Sequence, residues 1–324
     1  MTVEVRNRIA RRPLGKSGLT VSEIAFGTVE LGLDYGIPAP GEYGRPSSRE
    51  SIRLLEEAVE SGINLFDTAP IPAYGGTESL LGEVLGGRPD CLFATKVTIP
   101  RGATGRLLHG FQFREAVRRS LEHSLKFLRR DVLDIVQIYN PTVECISQGE
   151  ILEALLEAKQ EGKINLVGAS VYTEAEALAM IHGGGCDVLQ IPYNVLDQRM
   201  AGQVFPAAEK AGVGIMIRSA FLKGVLTAKG QWLSAELTPL REAAARVKEG
   251  WGSSWDSLPE LALRFCLSAP QASTVLVGLR TSRELNQALS SAGLGKLPPP
   301  LLDLAQTFSM GEERLLNPSH WPVL

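Results

Sequence analysis

Three polar residues stand where apolar side chains are expected. Asp67 ends the apolar run NLFDTA (64–69), and Lys96 ends the apolar run LFATKV (92–97). A carboxylate and an ammonium in apolar surroundings need partners, and each is the obvious partner of the other. Tyr74 follows in PIPAYGG (70–76), where a nearby lysine would favour its phenolate. The trio predicts a general acid or base that works near neutral pH. A structural ion pair beside a packing tyrosine has the same pattern.

Strands must position these residues, and short β-rich runs alternate with helical patterns along nearly the whole chain. Eight runs are predicted as strands, at 20–28, 64–69, 91–97, 133–139, 164–170, 188–194, 214–220 and 273–278. Strands that alternate with helices pair in parallel, so the pattern predicts one closed (β/α)8 barrel domain over residues 1–324. Residues 300–316 follow the eighth unit and are predicted to form an extra C-terminal helix. The first long helix should begin after Ser47, because Ser47 and Glu50 form a capping-box pattern.

Composition excludes several classes of protein. The 324 residues carry a formal net charge of -3, so no basic excess indicates nucleic-acid binding. No run of roughly 18 apolar residues is present, and no membrane span is predicted. The N-terminus has charges but no apolar segment typical of a secretory signal. The four cysteines form no CxxC pair, which favours a reduced, cytoplasmic protein.

Two phosphate-binding motifs and a metal site are also excluded. LGKSG (14–18) contains the Gly-Lys-Ser of a phosphate loop, but Ala10 stands where that motif needs a glycine. No GxGxxG lies between a strand and a helix, so a Rossmann fingerprint is absent. The four histidines show no ligand spacing, and no metal is predicted.

Several segments together resemble the aldo-keto reductase family. They are RRPLGKSGLTVSEIAFGT (11–28), GINLFDTA (62–69), YGGTESLLGEVL (74–85), ATK (94–96), GKINLVGAS (162–170), LQIPYNVLD (189–197) and RSAFLKGVLT (218–227). The resemblance covers nearly the whole chain. It implies a barrel that binds extended NAD(P)H without a Rossmann fold and transfers hydride to a carbonyl. It also implies that a tyrosine protonates the nascent alkoxide while lysine and aspartate tune that tyrosine.

The resemblance assigns roles residue by residue. Asp67, Tyr74 and Lys96 fall on three of the four catalytic positions. The positions expected to contact the dinucleotide are Gly27, Thr28 and Asp67 near the nicotinamide, Ser170 and Gln190 at its carboxamide, Tyr193 stacked on its ring, Ser219, Phe221, Gly224 and Leu226 around the pyrophosphate, and Gly278 and Arg280 at the adenosine.

The fourth catalytic position departs from the family. Tyr139 stands where the family has a histidine that donates a hydrogen bond to the substrate carbonyl. A phenol can also donate one. One branch of the family has glutamate there and reduces a double bond, so this position can select the reaction. Tyr74 also lies seven residues after Asp67, where the family usually has five.

Two further departures concern the cofactor. Val171 follows Ser170 where the family often has asparagine, so one carboxamide contact is expected to be missing. Glu284 would repel a phosphate near the adenosine, whereas Arg280 and Arg283 could clamp a 2′-phosphate. Solvated arginines at the start of a helix have the same pattern.

The sequence thus predicts an NADPH-dependent reductase of an aldehyde, ketone or keto sugar, with NADH as an alternative cofactor. Two other functions stay open: an NAD-dependent sugar dehydrogenase in the oxidative direction, and a cofactor-binding regulatory barrel with little turnover. The expected partner is a small carbonyl or sugar substrate, and the expected assembly is a monomer or weak homo-oligomer.

Overall fold

The computed structural model describes residues 9–41, 43–70, 76–102 and 104–322. In these ranges it has ten strands: β1 (Arg11–Pro13), β2 (Thr20–Ser22), β3 (Ile24–Gly27), β4 (Leu65–Asp67), β5 (Leu92–Thr98), β6 (Leu133–Tyr139), β7 (Ile164–Ser170), β8 (Val188–Pro192), β9 (Gly214–Arg218) and β10 (Ala272–Gly278). Strands β3 to β10 form a closed, parallel barrel in chain order. The predicted (β/α)8 barrel is confirmed.

The barrel closes where its first strand meets its last. Strand β3 pairs with β10 from Ile24↔Val275 to Gly27↔Gly278. Arg12 lies beside this seam and donates hydrogen bonds to the carbonyl oxygens of Leu267, at 3.0 Å, and Ala272, at 3.1 Å. The two ends of the chain are therefore joined by both the sheet and a side chain.

The predicted first strand over 20–28 is in fact two strands. Its first part, β2, pairs antiparallel with β1 as a hairpin, and β3 then enters the barrel. Leu14 and Val21 of the hairpin segment are buried with the barrel's interior layer, which takes one residue from each strand: Ala25, Leu65, Ala94, Ile135, Leu166, Val188, Met216 and Leu276. Gly15 has φ +57°, and a Cβ there would lie 2.4 Å from Gly214 N. Only glycine lets the hairpin pack this closely against the start of β9.

Helices surround the barrel. Those in the described ranges are α1 (Val29–Gly32), α2 (Ser48–Glu60), α3 (Thr77–Leu85), α4 (Gly110–Leu128), α5 (Val143–Gln148), α6 (Glu150–Gln160), α7 (Glu174–Gly183), α8 (Val204–Ala211), α9 (Thr238–Gly250), α10 (Leu258–Ser268), α11 (Ser282–Gly293), α12 (Pro299–Gln306) and α13 (Glu313–Leu316). Short 3₁₀ turns lie at Arg199–Ala201, Leu222–Gly224, Ala228–Trp232, Ala235–Leu237 and Pro318–His320. The capping box of Ser47 and Glu50 is present at the start of α2, as predicted.

The C-terminal segment packs on the outside of the barrel, but it is not one helix. Helices α12 and α13 are separated by residues 307–312. Within that break the Met310 amide donates to Leu196 O at 2.8 Å, so this backbone group makes a tertiary contact instead of continuing the helix. Among the described residues, the helices are all too short or too polar to cross a membrane.

Candidate active site

Side chains at the carboxyl ends of the barrel strands form a second layer above the apolar one. Along a strand, every second side chain faces the same way, so residues two positions after the interior layer also face inward. These positions carry Gly27, Asp67, Lys96, Gln137, Gly168, Gln190, Arg218 and Gly278. Polar side chains therefore meet at one depth of the barrel. They lie at the face where barrel enzymes build their active sites.

Asp67 and Lys96 form a buried ion pair, as the sequence predicted. Lys96 Nζ lies 2.9 and 2.7 Å from the two carboxylate oxygens of Asp67 and donates to Thr68 O at 2.8 Å. Each residue is only 2% exposed. Burial lowers the pKa of Lys96, and the Asp67 charge opposes this change. The ammonium and the carboxylate together form a unit with no net charge.

Two glutamine amides also converge on Asp67. Gln190 Nε2 donates to Asp67 Oδ1 at 2.7 Å, and Gln137 Nε2 donates to the same oxygen at 3.1 Å. Ser170 Oγ in turn donates to Gln190 Oε1 at 3.1 Å. A chain of hydrogen bonds thus links Ser170 to Lys96. The sequence analysis missed Gln137, although a glutamine inside the apolar run LDIVQIY was a usable signal.

Tyr74 lies within residues 71–75, outside the described residues. The two sides of that segment are joined to each other and to the ion pair. Thr68 and Thr77 share a hydrogen bond between their hydroxyl groups at 2.7 Å, and Thr68 O accepts from Lys96. The flank before the segment therefore contacts Lys96, and the flank after it is bonded to Thr68. The assignment of Tyr74 stays a prediction.

Tyr139 ends β6 and lines the cavity, as the sequence suggested. It stands two residues after the inward-facing Gln137 and pairs with Ser170 of β7 in register. Burial raises the pKa of Tyr139, and Tyr172 adds to this rise while Arg218 opposes it. A phenol with a raised pKa keeps its proton at neutral pH and can donate a hydrogen bond.

A cavity of about 750 Å³ extends from these groups toward the start of α11. Most of the predicted cofactor-binding residues line it: Gly27, Asp67, Ser170, Gln190, Ser219, Phe221, Gly224, Gly278 and Arg280. Lysine and arginine side chains outnumber carboxylates in the lining, which suits an anionic ligand.

Three predicted contacts lie outside this lining. Tyr193 is packed between Phe205 and Phe265, with ring centroids 5.0 and 5.2 Å away. It follows the end of β8 and contacts Phe205 of α8 and Phe265 of α10. These contacts give no support to its predicted stacking on the nicotinamide, which stays a prediction.

Thr28 and Leu226 are the other two. Thr28 is fully buried, and its hydroxyl donates to Asp67 O at 2.9 Å. Its role is to join β3 to β4. The Leu226 side chain is also fully buried, in the hydrophobic core, and its amide donates to Phe221 O at 3.1 Å. This hydrogen bond joins the two ends of the predicted phosphate loop, Phe221 and Leu226. Neither side chain is placed to touch a ligand in the cavity.

The segment after β9 forms a tight loop along the cavity. Its glycine, Gly224, has φ +105°, a backbone conformation that residues other than glycine rarely adopt. The Gly224 amide donates to Phe221 O at 2.9 Å. Lys223 and Lys229 line the same part of the cavity. This combination of a glycine turn and two cations fits the predicted pyrophosphate contact.

An ionic cluster occupies the predicted adenosine end. Arg280 Nη2 donates to Glu284 Oε1 at 3.2 Å, and Arg280 Nε lies 3.8 Å from Glu30 Oε2. Lys229 Nζ is 3.9 Å from Glu284. Burial, together with the Glu284 charge, raises the pKa of Glu30 to about 7. Gly278 makes room for this carboxylate, since a Cβ there would lie 2.7 Å from Glu30 Oε1.

The contacts of Arg280 with Glu30 and Glu284 were not predicted from the sequence. Val171 is fully buried, and the expected loss of a carboxamide contact there stays a prediction.

Comparisons with known proteins agree with this geometry. A family model described as "Aldo/keto reductase family" matches residues 23–299. L-galactose dehydrogenase from Arabidopsis thaliana is 30% identical over 302 residues, which is 88% of each chain. Pyridoxal 4-dehydrogenase from Microbacterium luteolum is 27% identical, over 86% of this chain and 91% of that protein. The holo form of aldo-keto reductase AKR11C1 from Bacillus halodurans shares the fold, with a TM-score of 0.78 at 24% identity over 97% of this chain and 99% of that one.

Proposed function

Since the chain belongs to the aldo/keto reductase family, we propose that it is an NADPH-dependent reductase of an aldehyde, ketone or keto sugar. The observation that carries the proposal is the buried Lys96–Asp67 pair, which is fixed by two glutamines at one end of a long, cation-rich cavity. The two glutamines fix the carboxylate of the pair, and a proton donor beside it needs such a fixed environment.

The residues along the cavity fit a nicotinamide dinucleotide, which when bound supplies the hydride. Ser170 and Gln190 lie where its carboxamide end would bind, beside the ion pair. The Ser219–Gly224 turn, with Lys223 and Lys229, would hold the pyrophosphate. Gly278 and Arg280 would hold the adenosine end.

We assign the proton transfer to Tyr74, on the family resemblance and on the contact between Lys96 and the flank before it. A buried lysine cation lowers the cost of forming a phenolate, so it assists proton donation to the substrate oxygen. Tyr139 then takes the role of the missing histidine. It keeps its own proton and donates a hydrogen bond to the same oxygen.

The choice of NADPH rests on Arg280, whose guanidinium suits a 2′-phosphate. Glu284 and Glu30 already contact Arg280, and this arrangement gives NADH as the alternative cofactor. An NAD-dependent sugar dehydrogenase in the oxidative direction is therefore the second candidate. The similarity to L-galactose dehydrogenase favours the same alternative.

Turnover measurements test these proposals. Fluorescence-quenching titrations with NADPH and NADH give the ratio of cofactor affinities. A panel of aldehydes, ketones and sugars, assayed in both directions, then separates reductase from sugar dehydrogenase. Binding of either cofactor without turnover of any member of the panel would contradict the proposal and favour a regulatory barrel.

The family assignment supports a small-molecule substrate. Each of the four cysteines is a free thiol. This supports a reducing, cytoplasmic location. A monomer or weak homo-oligomer stays a prediction.

A further inference from the structure

Arg218 is a cation in the same layer of the barrel as the Lys96–Asp67 pair. It ends β9 two positions after Met216 of the interior layer, so its side chain faces into the barrel. It lines the cavity and is only half-buried. Its charge is close enough to Lys96 to contribute to the lowering of that lysine's pKa.

Three contacts hold the guanidinium in one orientation. Arg218 Nη2 donates to Val171 O at 2.9 Å, and Nη1 donates to Ser219 Oγ at 3.1 Å. The Tyr172 ring lies beneath it, with Cζ 3.9 Å from the ring centroid. A guanidinium has five N–H donors, and the described residues use two of them. The rest of this fixed fork is available to a ligand.

No carboxylate among the described residues lies within ion-pair distance of Arg218, whereas Lys96 and Arg280 both have one. The groups around it are phenols: Tyr172 beneath it, and Tyr35 and Tyr139, whose pKa values the Arg218 charge lowers against the effect of burial. The Lys96–Asp67 pair is neutral as a unit, so it does not compensate the charge of Arg218. Withdrawing a cation from water is costly unless an anion compensates it.

We propose that Arg218 determines substrate specificity, and that the preferred substrate carries an oxyanion substituent, a carboxylate or a phosphate, near the reacting carbonyl. The inference rests on the proposed carbonyl chemistry at this site. The guanidinium fork matches the two oxygens of such a group. Tyr172 fixes the plane of the fork, and Val171 and Ser219 fix its rotation.

The position of Arg218 argues against a role in holding the cofactor phosphates. The turn expected to hold the pyrophosphate has its own cations, Lys223 and Lys229. Arg218 instead shares its layer with Asp67 and Lys96, where the reacting carbonyl would be bound.

Matched probes test the proposal. The wild-type enzyme loaded with NADPH is assayed with 4-formylbenzoate and with its neutral methyl ester. Glyceraldehyde 3-phosphate and glyceraldehyde form a second pair, which tells phosphate from carboxylate. We expect a preference for the anionic member of at least one pair. Arg218→Gln should raise KM for that member roughly tenfold to a hundredfold, the usual value of charge-assisted hydrogen bonds. The neutral members and the NADPH Kd should change less than about twofold, on the scale of an uninvolved site.

Two further variants separate charge from geometry. Arg218→Lys keeps the charge but not the fork, so it should restore only part of the preference. Arg49 is an exposed arginine of α2 that does not line the cavity, and Arg49→Gln is the matched control for loss of one positive charge. It should leave the preference unchanged.

Binding without turnover completes the test. Calorimetry on the NADPH-loaded wild-type enzyme compares benzoate with benzamide, and inorganic phosphate with sulfamide. Tighter binding of an anion that Arg218→Gln abolishes supports the proposal even where no probe is reduced, and in that case only the proposed reaction fails. The proposal is overturned if the wild-type enzyme shows no preference for anionic over neutral probes, either in turnover or in binding. Equal losses for both members of each pair, or a loss confined to NADPH affinity, also overturn it.

Discussion

The side-chain amide of Gln137 donates to Asp67 Oδ1 at 3.1 Å, so β6 fixes a carboxylate of β4 from the far side of β5. Gln137 is fully buried, and its own Oε1 has no hydrogen-bond partner among the described residues. A buried acceptor without a partner costs stability. The Gln137 side chain therefore costs stability at its Oε1, and what it contributes is the hydrogen bond from Nε2 to Asp67.

Gln137→Leu should lower kcat with little change in stability. The lost hydrogen bond to a charged group and the removed unpaired acceptor have opposite effects of about 1–3 kcal/mol each, so they largely cancel. Urea denaturation and steady-state kinetics measure the two quantities. A large loss of stability with unchanged kcat would show that the amide supports folding instead of the site.

Lys96→Met should destabilise the protein by about 3–5 kcal/mol, because it leaves the Asp67 carboxylate buried without its cation. Activity should also disappear. The double variant Lys96→Met/Asp67→Asn should recover much of the stability but none of the activity. Thermal unfolding of the three proteins checks the first effect, and recovery of turnover in the double variant would contradict the second.

The two tyrosines should differ in kinetic effect. Tyr74→Phe removes the proposed acid and should lower kcat by roughly 10²–10⁴-fold with cofactor affinity intact. Tyr139→Phe removes one donor to the substrate oxygen and should lower kcat/KM by roughly 10–100-fold. Tyr139→His restores the family's residue and should keep or raise carbonyl reduction. If Tyr139→Phe is inactive while Tyr74→Phe is active, the two roles are reversed.

Cofactor preference should follow Arg280 and its partner. Arg280→Ala should weaken NADPH binding by roughly tenfold to a hundredfold and NADH binding much less, because only NADPH carries the 2′-phosphate. Glu284→Gln releases Arg280 from its 3.2 Å contact and should raise the NADPH-to-NADH affinity ratio. Quenching titrations give both ratios. Equal loss of both cofactors in Arg280→Ala would remove it from that role.

Glu30 should make stability fall as pH rises. Its pKa in the folded protein is about 7, above the usual value of 4.5, so between these values the folded state binds more protons than the unfolded state. Stability is then lost with rising pH across that window, by at most about 3 kcal/mol and less in practice, because about a fifth of the side chain is exposed. Arg280, Lys229 and Glu284 face this carboxylate and set the size of the effect.

Glu30→Gln should remove this part of the pH dependence and stabilise the protein at pH 8 relative to the wild type. Denaturation midpoints at pH 5 and pH 8 measure it, with Glu50→Gln in the exposed capping box as the control. An identical pH profile in wild type and Glu30→Gln would place the titration elsewhere.

The barrel and the ion pair could be predicted because they depend on local patterns. Alternating strand and helix signals gave the fold, and Asp67 and Lys96 stood out as charges in apolar strands. The alternation of side chains along a strand also predicts that Gln137 faces the site, because it stands two residues before Tyr139.

Other features needed the three-dimensional arrangement. The pairing of Arg280 with Glu30 joins residues 250 positions apart, and no local pattern encodes it. The freedom of Arg218 from any carboxylate among the described residues depends likewise on what lies near it in space. Within the break between α12 and α13, the Met310 amide bonds to Leu196 O, in a residue more than a hundred positions away.

The seam between β3 and β10 has a consequence for how the chain acquires its structure on the ribosome. Arg12 bonds to carbonyl groups 255 and 260 positions later, and β3 gains its second neighbour only from β10. Contacts of such separation are slow to form, because a long loop must close before they yield any energy. During synthesis the edge of β3 stays open until β10 emerges. The nascent chain therefore spends nearly its whole elongation with an unpaired strand edge, the kind of surface that chaperones shield and that aggregation exploits.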